Sequence, residues 1–443
     1  MKKSILLILS FLFALNAVAQ TESIREKWNK EYEERRAKTV ERHLREKPIY
    51  KEQMGVTNPE YVVFVPKVDV DVVGDTYNDH FLVFDKPGET TQFALWTQAT
   101  LEGDLDHHIV FSKSMDKGKT WSEPIILAGT PNVKSLKPIA SWGFPLVTKS
   151  GRIYVIYNQY VEEKVNVTRQ HTGLMMGVYS DDNGDTWSKP EEITMPRTIN
   201  DNKDTSIPSE WVVWQKPQRL AKNNKYIVGL NRYNVAERHN VFVTGTEFIQ
   251  FENIDKNPKV KNIEISYFMT GDNVLRYNEK CEESTIVKLP DGRLFALFRT
   301  MSGHPVWSVS KDLGETWSSP KPLKDKNGKI YEHPLSPCPM YDWKGNGAAS
   351  GYYFAMIHNA PSFPDNPWRP RGPLYLLPGR FVPDCEQPIQ FGEAKLFASR
   401  PDFQSFYTST TVVDGKLVLW YPDLKFFLLG RTIGEEWFED VIQ

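Results

Sequence analysis

Apolar residues in this chain fall in short runs, and the runs come in pairs. An apolar segment, a tight turn and a second apolar segment recur from Phe144 to Asn158 around Ser150-Gly151, from Ile286 to Arg299 around Asp291-Gly292, and from Thr410 to Tyr421 around Asp414-Gly415. Gly in such a turn supplies the positive φ that a tight hairpin requires, so each unit reads as a β-hairpin. Similar hairpins are legible at Phe81–Thr97, Gln215–Arg232 and Pro339–His358. Six hairpins, each followed by room for two more strands, predict an all-β chain of six four-stranded blades, a propeller. The strand Tyr61–Pro66 is expected to return to the last blade and close the ring, and the stretch Thr244 to Thr270 has space for a seventh blade.

A second repeat supports this architecture. Ser114-Met-Asp116-Lys-Gly118-Lys-Thr120-Trp121, Ser180-Asp-Asp182-Asn-Gly184-Asp-Thr186-Trp187 and Ser310-Lys-Asp312-Leu-Gly314-Glu-Thr316-Trp317 share one pattern, each with Pro three places after the Trp (Pro124, Pro190, Pro320). This is the Asp-box. Asp and hydroxyl side chains close the turn onto the backbone, Gly takes the positive φ, and the Trp is left to pack between sheets. The boxes are therefore structural, with a degenerate copy expected near Thr244.

The N-terminus departs from the pattern. Lys2 and Lys3, an apolar run from Ile5 to Leu15, and Ala17-Val18-Ala19 before Gln20 have the layout of a cleavable secretory signal. The run is short for a membrane span, and no later segment approaches one. The reading is therefore a signal peptide over 1–19, a helical segment over 20–57 with Ile24, Trp28 and Tyr32 as its apolar stripe, and the propeller over 58–443. The mature protein is expected in the periplasm or the medium, without membrane insertion. A net charge of −2 gives a nucleic-acid partner no electrostatic support. Three Cys (Cys281, Cys338, Cys385) permit one disulfide at most and lack zinc-site spacing.

Strand order along a blade divides the loops between two faces. Asp-Gly turns and Asp-boxes share one face; the other connections surround the opposite mouth of the central channel. Those connections hold Asp104, Asp106, His107 and His108, then Arg169 and His171, then Arg232, Arg238 and His239, then Arg299 and His304, then His358, Arg369 and Arg371. With His80 and His333, eight of the nine His lie there, leaving only His43 elsewhere. As a set they read as a polar, cationic mouth suited to a carboxylate- or sulfate-bearing sugar, because Arg binds carboxylates through paired charged hydrogen bonds. No cofactor is required by this reading; a divalent ion at the His-rich mouth is the one addition these residue types would allow.

The boxes and two longer segments resemble the Asp-box, sialidase-like propeller superfamily. The stretch from Glu283 through Asp291-Gly292 to Arg299 is similar to the sialidase segment that holds the Glu partner of the nucleophile and one Arg of a carboxylate-binding triad. The stretch from Phe406-Tyr407 to Tyr421 is similar to the segment that holds the Tyr nucleophile, and Asp106 occupies roughly the place of the acid/base Asp. Where sialidases place the first Arg of the triad, this chain reads Asn78-Asp79-His80-Phe81-Leu82. A shorter stretch, Leu95 to Thr100 with Asp106-His107 and Val110 to Ser114, resembles propeller enzymes acting on rhamnose–glucuronate linkages, mostly lyases. That likeness implies a carbon–oxygen lyase performing β-elimination on uronate-containing oligosaccharides, a polysaccharide lyase if a sugar leaves C4 or an oligosaccharide dehydratase if water does, with a 4,5-unsaturated uronate as product. Arg169, Arg232 and Arg299 would neutralise the carboxylate. His107 would act as base or acid, with Tyr407 or His80 as its counterpart. Two other readings stand beside it. One is a sialidase-like exo-glycoside hydrolase with Tyr407 and Glu283 as nucleophile pair and Asp106 as acid/base. The other is a glycan-binding propeller without chemistry.

Overall fold

The computed structural model describes residues 26–68, 74–86, 88–135, 137–160, 170–235, 244–343, 350–400 and 407–442. Six antiparallel sheets follow one another along the chain. Their innermost strands are Tyr77–Asp85, Ala140–Val147, Trp211–Val212, Glu282–Lys288, Met340–Asp342 and Ser409–Val413, which define blades 1 to 6. Thr244–Phe251 and Ile265–Phe268 are the two outer strands of blade 3, so the propeller has six blades and no seventh in that stretch. Closure follows the expected route. Tyr61–Phe64 pairs antiparallel with Phe427–Ile433 and becomes the outermost strand of blade 6, tying the first strand of the chain to the last. An N-terminal helix (residues 26–46) and a short helical turn at Tyr50–Gly55 precede this strand. Ile24 lies outside the described residues; Trp28 and Tyr32 are half-buried. No helix among the described residues is long and apolar enough to cross a membrane.

The core sits between blades. Phe84, Phe93 and Phe111 of blade 1 meet Ile153, Tyr157 and Val178 of blade 2, and equivalent clusters fill the other seams. Each fully buried side chain of this size contributes about 1.5–3 kcal/mol relative to exposure, so the seams supply most of the stabilisation. The Asp-boxes pin these seams. In the first, Ser114 Oγ donates to Asp116 and accepts the Gly118 amide, both at 2.8 Å, while Thr120 donates its amide (2.8 Å) and hydroxyl (2.6 Å) to Asp116. The same bonds recur at residues 180–187 and 310–317. Each box Trp then reaches the preceding blade: Trp121 meets Trp420, Trp187 meets Phe111, and Trp317 stacks on Phe248.

One irregularity recurs on the inner strands. Pairing with the second strand slips between Asp79 and Leu82 in blade 1, between Ser141 and Phe144 in blade 2, and between Glu282 and Thr285 in blade 4. Within each slip sits one non-glycine residue of positive φ: His80 (53°), Trp142 (57°) and Glu283 (51°). A bulge of this kind re-aims a side chain out of the regular alternation, at a local backbone cost of about 1–3 kcal/mol. All three lie at the end of the strand facing the mouth opposite the Asp-boxes.

Candidate active site

The bulge in blade 4 and the start of the inner strand of blade 6 bring Glu283, Arg299 and Tyr407 together. Arg299 ends the second strand of blade 4, opposite Glu282. Because the bulge turns Glu283 back, Arg299 Nη1 donates to both Glu283 carboxylate oxygens at 2.7 Å. Tyr407, just ahead of Ser409–Val413, donates its hydroxyl to Glu283 Oε1 at 2.7 Å, and Arg299 Nη1 lies 3.5 Å from the same hydroxyl. Glu282 sits behind, 3.4 Å from Arg299 Nε, 2.9 Å from Lys280 Nζ, and accepting the Thr244 hydroxyl. Burial, then the charge of Glu283, raises the Tyr407 pKa well above its usual value, so the resting group is a phenol. Burial alone would lower the Arg299 pKa, but Glu283 and Glu282 override it and hold the guanidinium charged.

Tyr407 is walled by aromatic rings. Trp142, Trp214 and His80 lie 5.4, 5.5 and 6.3 Å from it, centre to centre, and His171 stacks on Tyr233 beyond Trp142. The indole nitrogens of Trp142 and Trp214 are buried without a hydrogen-bond acceptor, and the His80 ring is buried against the Trp214 backbone. Lys425 comes from the turn between the second and third strands of blade 6, and its ammonium lies 6.0 Å from the Tyr407 ring centre. It pairs with Asp79 at 3.0 Å and with half-exposed Glu102 at 2.9 Å. Arg371 is buried nearby and donates to the carbonyls of Trp368 and Leu335. Burial and the like charge of Arg299 lower its pKa to about 10, so it stays a cation whose field an anion would relieve.

The remaining residues singled out from the sequence lie in other settings. Arg169 lies outside the described residues, as do Arg238 and His239. Arg232 is fully buried and spent on Glu247 (2.8 Å), Asp201 (3.1 Å) and Ser209, which removes it as a substrate contact. Asp106 turns inward: it accepts the Thr100 amide (2.9 Å) and hydroxyl (2.5 Å), holding a loop rather than facing Tyr407. Burial and neighbouring Asp104 raise its pKa. Both ring nitrogens of His107 are engaged, Nδ1 with Ser141 Oγ and Nε2 with the Gly103 amide and Leu101 carbonyl, so it braces two blades. The cationic reading of the His set is corrected as well. Burial depresses His80 and His171 to about 3 and His108 and His333 to about 4, so these rings are neutral near pH 7. The three cysteines are unpaired, and no three His, Cys, Asp or Glu among the described residues are grouped to hold a metal.

Asp79, Glu102, Lys425, Trp142 and Trp214 were not anticipated. A signal for two of them existed: Asp79-His80 and Ser141-Trp142 interrupt otherwise apolar inner strands at the same place as Glu282-Glu283. Lys425 and Glu102 carry no motif and meet only through the closure of the ring.

A model of the BNR repeat-like domain matches residues 91–414, well over half of the chain. The chain belongs to this BNR-repeat family. By sequence it is 24% identical over 246 residues to a sialidase of Clostridium perfringens, a match covering 53% of this chain and 59% of that one. The chain thus spans about three fifths of the length of the curated relative it matches. By structure it is similar to the leech intramolecular trans-sialidase (TM-score 0.60, 15% identity, 86% of this chain and 71% of that one). It is also similar to the intramolecular trans-sialidase of Ruminococcus gnavus (TM-score 0.59, 14% identity, 85% and 97%). These likenesses, at such identities, show a shared fold. They also correct one expectation. The curated relative is a sialidase, a glycoside hydrolase, and this points to a glycosidase where a carbon–oxygen lyase was expected. The rhamnose–glucuronate likeness receives no support from them.

Proposed function

We propose that this protein is an exported, sialidase-type exo-glycoside hydrolase that forms a covalent intermediate on Tyr407 and acts on a carboxylate-bearing sugar. The observation that carries the reading is the Tyr407–Glu283–Arg299 cluster. A buried phenol is a weak nucleophile until a base takes its proton, and Glu283 Oε1 stands 2.7 Å from that proton. Arg299 pairs with Glu283 in the resting site and stabilises the negative charge as it passes to the phenol oxygen. In the first step the Tyr407 oxygen bonds to the anomeric carbon, its proton moves to Glu283, and the bond to the aglycone oxygen breaks, the aglycone leaving with the bonding pair and taking a proton from water. In the second, water attacks the same carbon as its proton passes to a general base and on to solvent, the bond from that carbon to the Tyr407 oxygen breaks, and Glu283 returns the proton to Tyr407. Tyrosine in place of the usual carboxylate nucleophile is a known departure among glycosidases. It avoids setting a formal anion against an anionic sugar.

Arg299 and Arg371 are the residues suited to the sugar carboxylate. Neutral His80, in the segment where sialidases place the first Arg of the triad, and the two unpartnered indole N–H groups add polar groups without further charge. For the water-activating step we assign Glu102, a carboxylate that solvent reaches at the rim. Burial would raise its pKa, but Lys425 more than offsets this, and the ionised form is the one a general base needs.

The test is release of fluorophore from a panel of aryl glycosides, N-acetylneuraminide first, with proton NMR of the product anomer. The proposal expects turnover with net retention and its abolition in Tyr407→Phe. Turnover that persists in Tyr407→Phe, or an inverted product, would overturn it.

A further inference from the structure

We propose that the N-terminal helix is a brace for the substrate mouth, with Arg36 and His43 acting as positioning residues for Glu102 and Lys425. The inference rests on the reading of the Tyr407 cluster as the catalytic centre. The helix grips two loops at once. At one, Arg36 Nε and Nη2 donate to the two oxygens of buried Asp104 at 2.6 and 2.8 Å, and Arg36 also reaches Asn29 of its own helix. Asp104 belongs to the loop 100–107, which is wound on itself by Asp106 onto Thr100 and by His107 onto Gly103 and Leu101. That loop carries Glu102.

At the other loop, His43 lies flat on Phe426, ring centres 3.9 Å apart and planes within 3°. Tyr50, just past the helix, crosses Phe426 and Phe427 edge-on and donates its hydroxyl to the His43 carbonyl at 2.9 Å. Phe426 follows Leu424 and Lys425, two successive non-glycine residues of positive φ (60° and 53°). Such a pair persists only where its surroundings hold it. Asn78 contributes from blade 1, through its amide to the Lys425 carbonyl and its side chain to the Phe426 carbonyl. The helix supplies the outer clamp. The two gripped loops meet in the Lys425–Glu102 ion pair beside Tyr407, so a single element outside the propeller sets the separation of two groups that come from blades 1 and 6.

A helix that only added stability would not couple to these two residues. The experiment uses the full chain with Arg36→Gln, His43→Ala and His43→Phe. The last keeps a flat ring on Phe426 and serves as the conservative rescue. Two readouts need no substrate: hydrogen exchange of peptides spanning 100–107 and 424–426, and the rate at which an amine-reactive ester modifies Lys425. The proposal expects Arg36→Gln and His43→Ala to raise exchange in both loops and Lys425 labelling by about tenfold or more. The hairpin at 180–187 should be unchanged and His43→Phe close to wild type. On a turned-over aryl glycoside, kcat should fall about 10- to 100-fold with KM little changed, as misplacement of a catalytic group demands. Unaltered exchange and labelling, or loosened loops with full kcat, would overturn the brace. Failure of the glycosidase reading appears separately, as turnover that survives Tyr407→Phe.

Discussion

Replacing Glu283 by Gln removes one charge and almost no volume, and it isolates the base on which the proposed chemistry depends. In the native site Glu283 receives the Tyr407 hydroxyl and two contacts from Arg299, all at 2.7 Å. The amide can still accept a hydrogen bond from Tyr407, so the ring stays in place, but it cannot take the proton. General-base assistance is worth about 10²–10⁴-fold. At 1.36 kcal/mol per decade that is about 3–5 kcal/mol of barrier. The effect on folding should be smaller. Removing one partner of a buried pair costs about 3–5 kcal/mol when the other charge is orphaned. Here Glu282 remains 3.4 Å from Arg299 Nε, which limits the loss to about 1–3 kcal/mol, that of a charged hydrogen bond. The assay is kcat on a fluorogenic glycoside that wild type hydrolyses, beside a thermal melt of both proteins. The expected result is a kcat loss of two to four decades, not additive with the loss in Tyr407→Phe. A folded Glu283→Gln variant within about threefold of wild-type kcat would refute the reasoning, since no general base contributes so little.

Other substitutions probe separate parts of the account. Glu102→Gln should slow the water step more than the first step, so an aryl glycoside should give a burst followed by a steady rate about 10²-fold below wild type, read by stopped-flow fluorescence. Gly118→Ala should lower the melting temperature by the equivalent of about 1–3 kcal/mol, because φ there is +84° and a methyl would lie 2.8 Å from the Trp420 ring; activity of the folded fraction should be retained. Stability should fall on acidification in two stages. Buried His80 and His171, depressed from 6.5 to about 3, stabilise the fold above pH 6.5 and lose that contribution as pH falls towards their folded values. Asp116 and Asp182, depressed from 3.8 to about 2 mainly by their Thr hydroxyls, add a second loss between about pH 4 and 2. Circular dichroism melts across this range, with Asp116→Asn and Asp182→Asn flattening the lower stage, check the assignment.

The blades were legible because their determinants are local. A hairpin turn is encoded by two or three adjacent residues, and an Asp-box by eight, so repetition exposes both. Glu283, Arg299 and Tyr407 were legible through segments that resemble those of sialidases, and the structure brings all three into contact. Asp106 and Arg232 show where such reasoning stops. Each has the right residue type on the right face, yet Asp106 folds back onto Thr100 and Arg232 is consumed by Glu247 and Asp201. Partners 15 and 31 residues away in the chain decide the latter, and no spacing rule announces them. Histidine was misjudged for a related reason. A sequence predicts that eight rings share one face but not that burial strips several of them of their charge. Lys425 and Glu102, more than three hundred residues apart, are joined only by closure of the ring.

The most direct test is to trap the intermediate. The protein would be incubated with an activated, fluorinated sialoside that forms the glycosyl-enzyme quickly and releases it slowly, then examined by intact mass and peptide mapping. The account predicts one sugar per chain, attached through the oxygen of Tyr407 and absent from Tyr407→Phe. A label on any other side chain, or rapid turnover with no label at all, would contradict it.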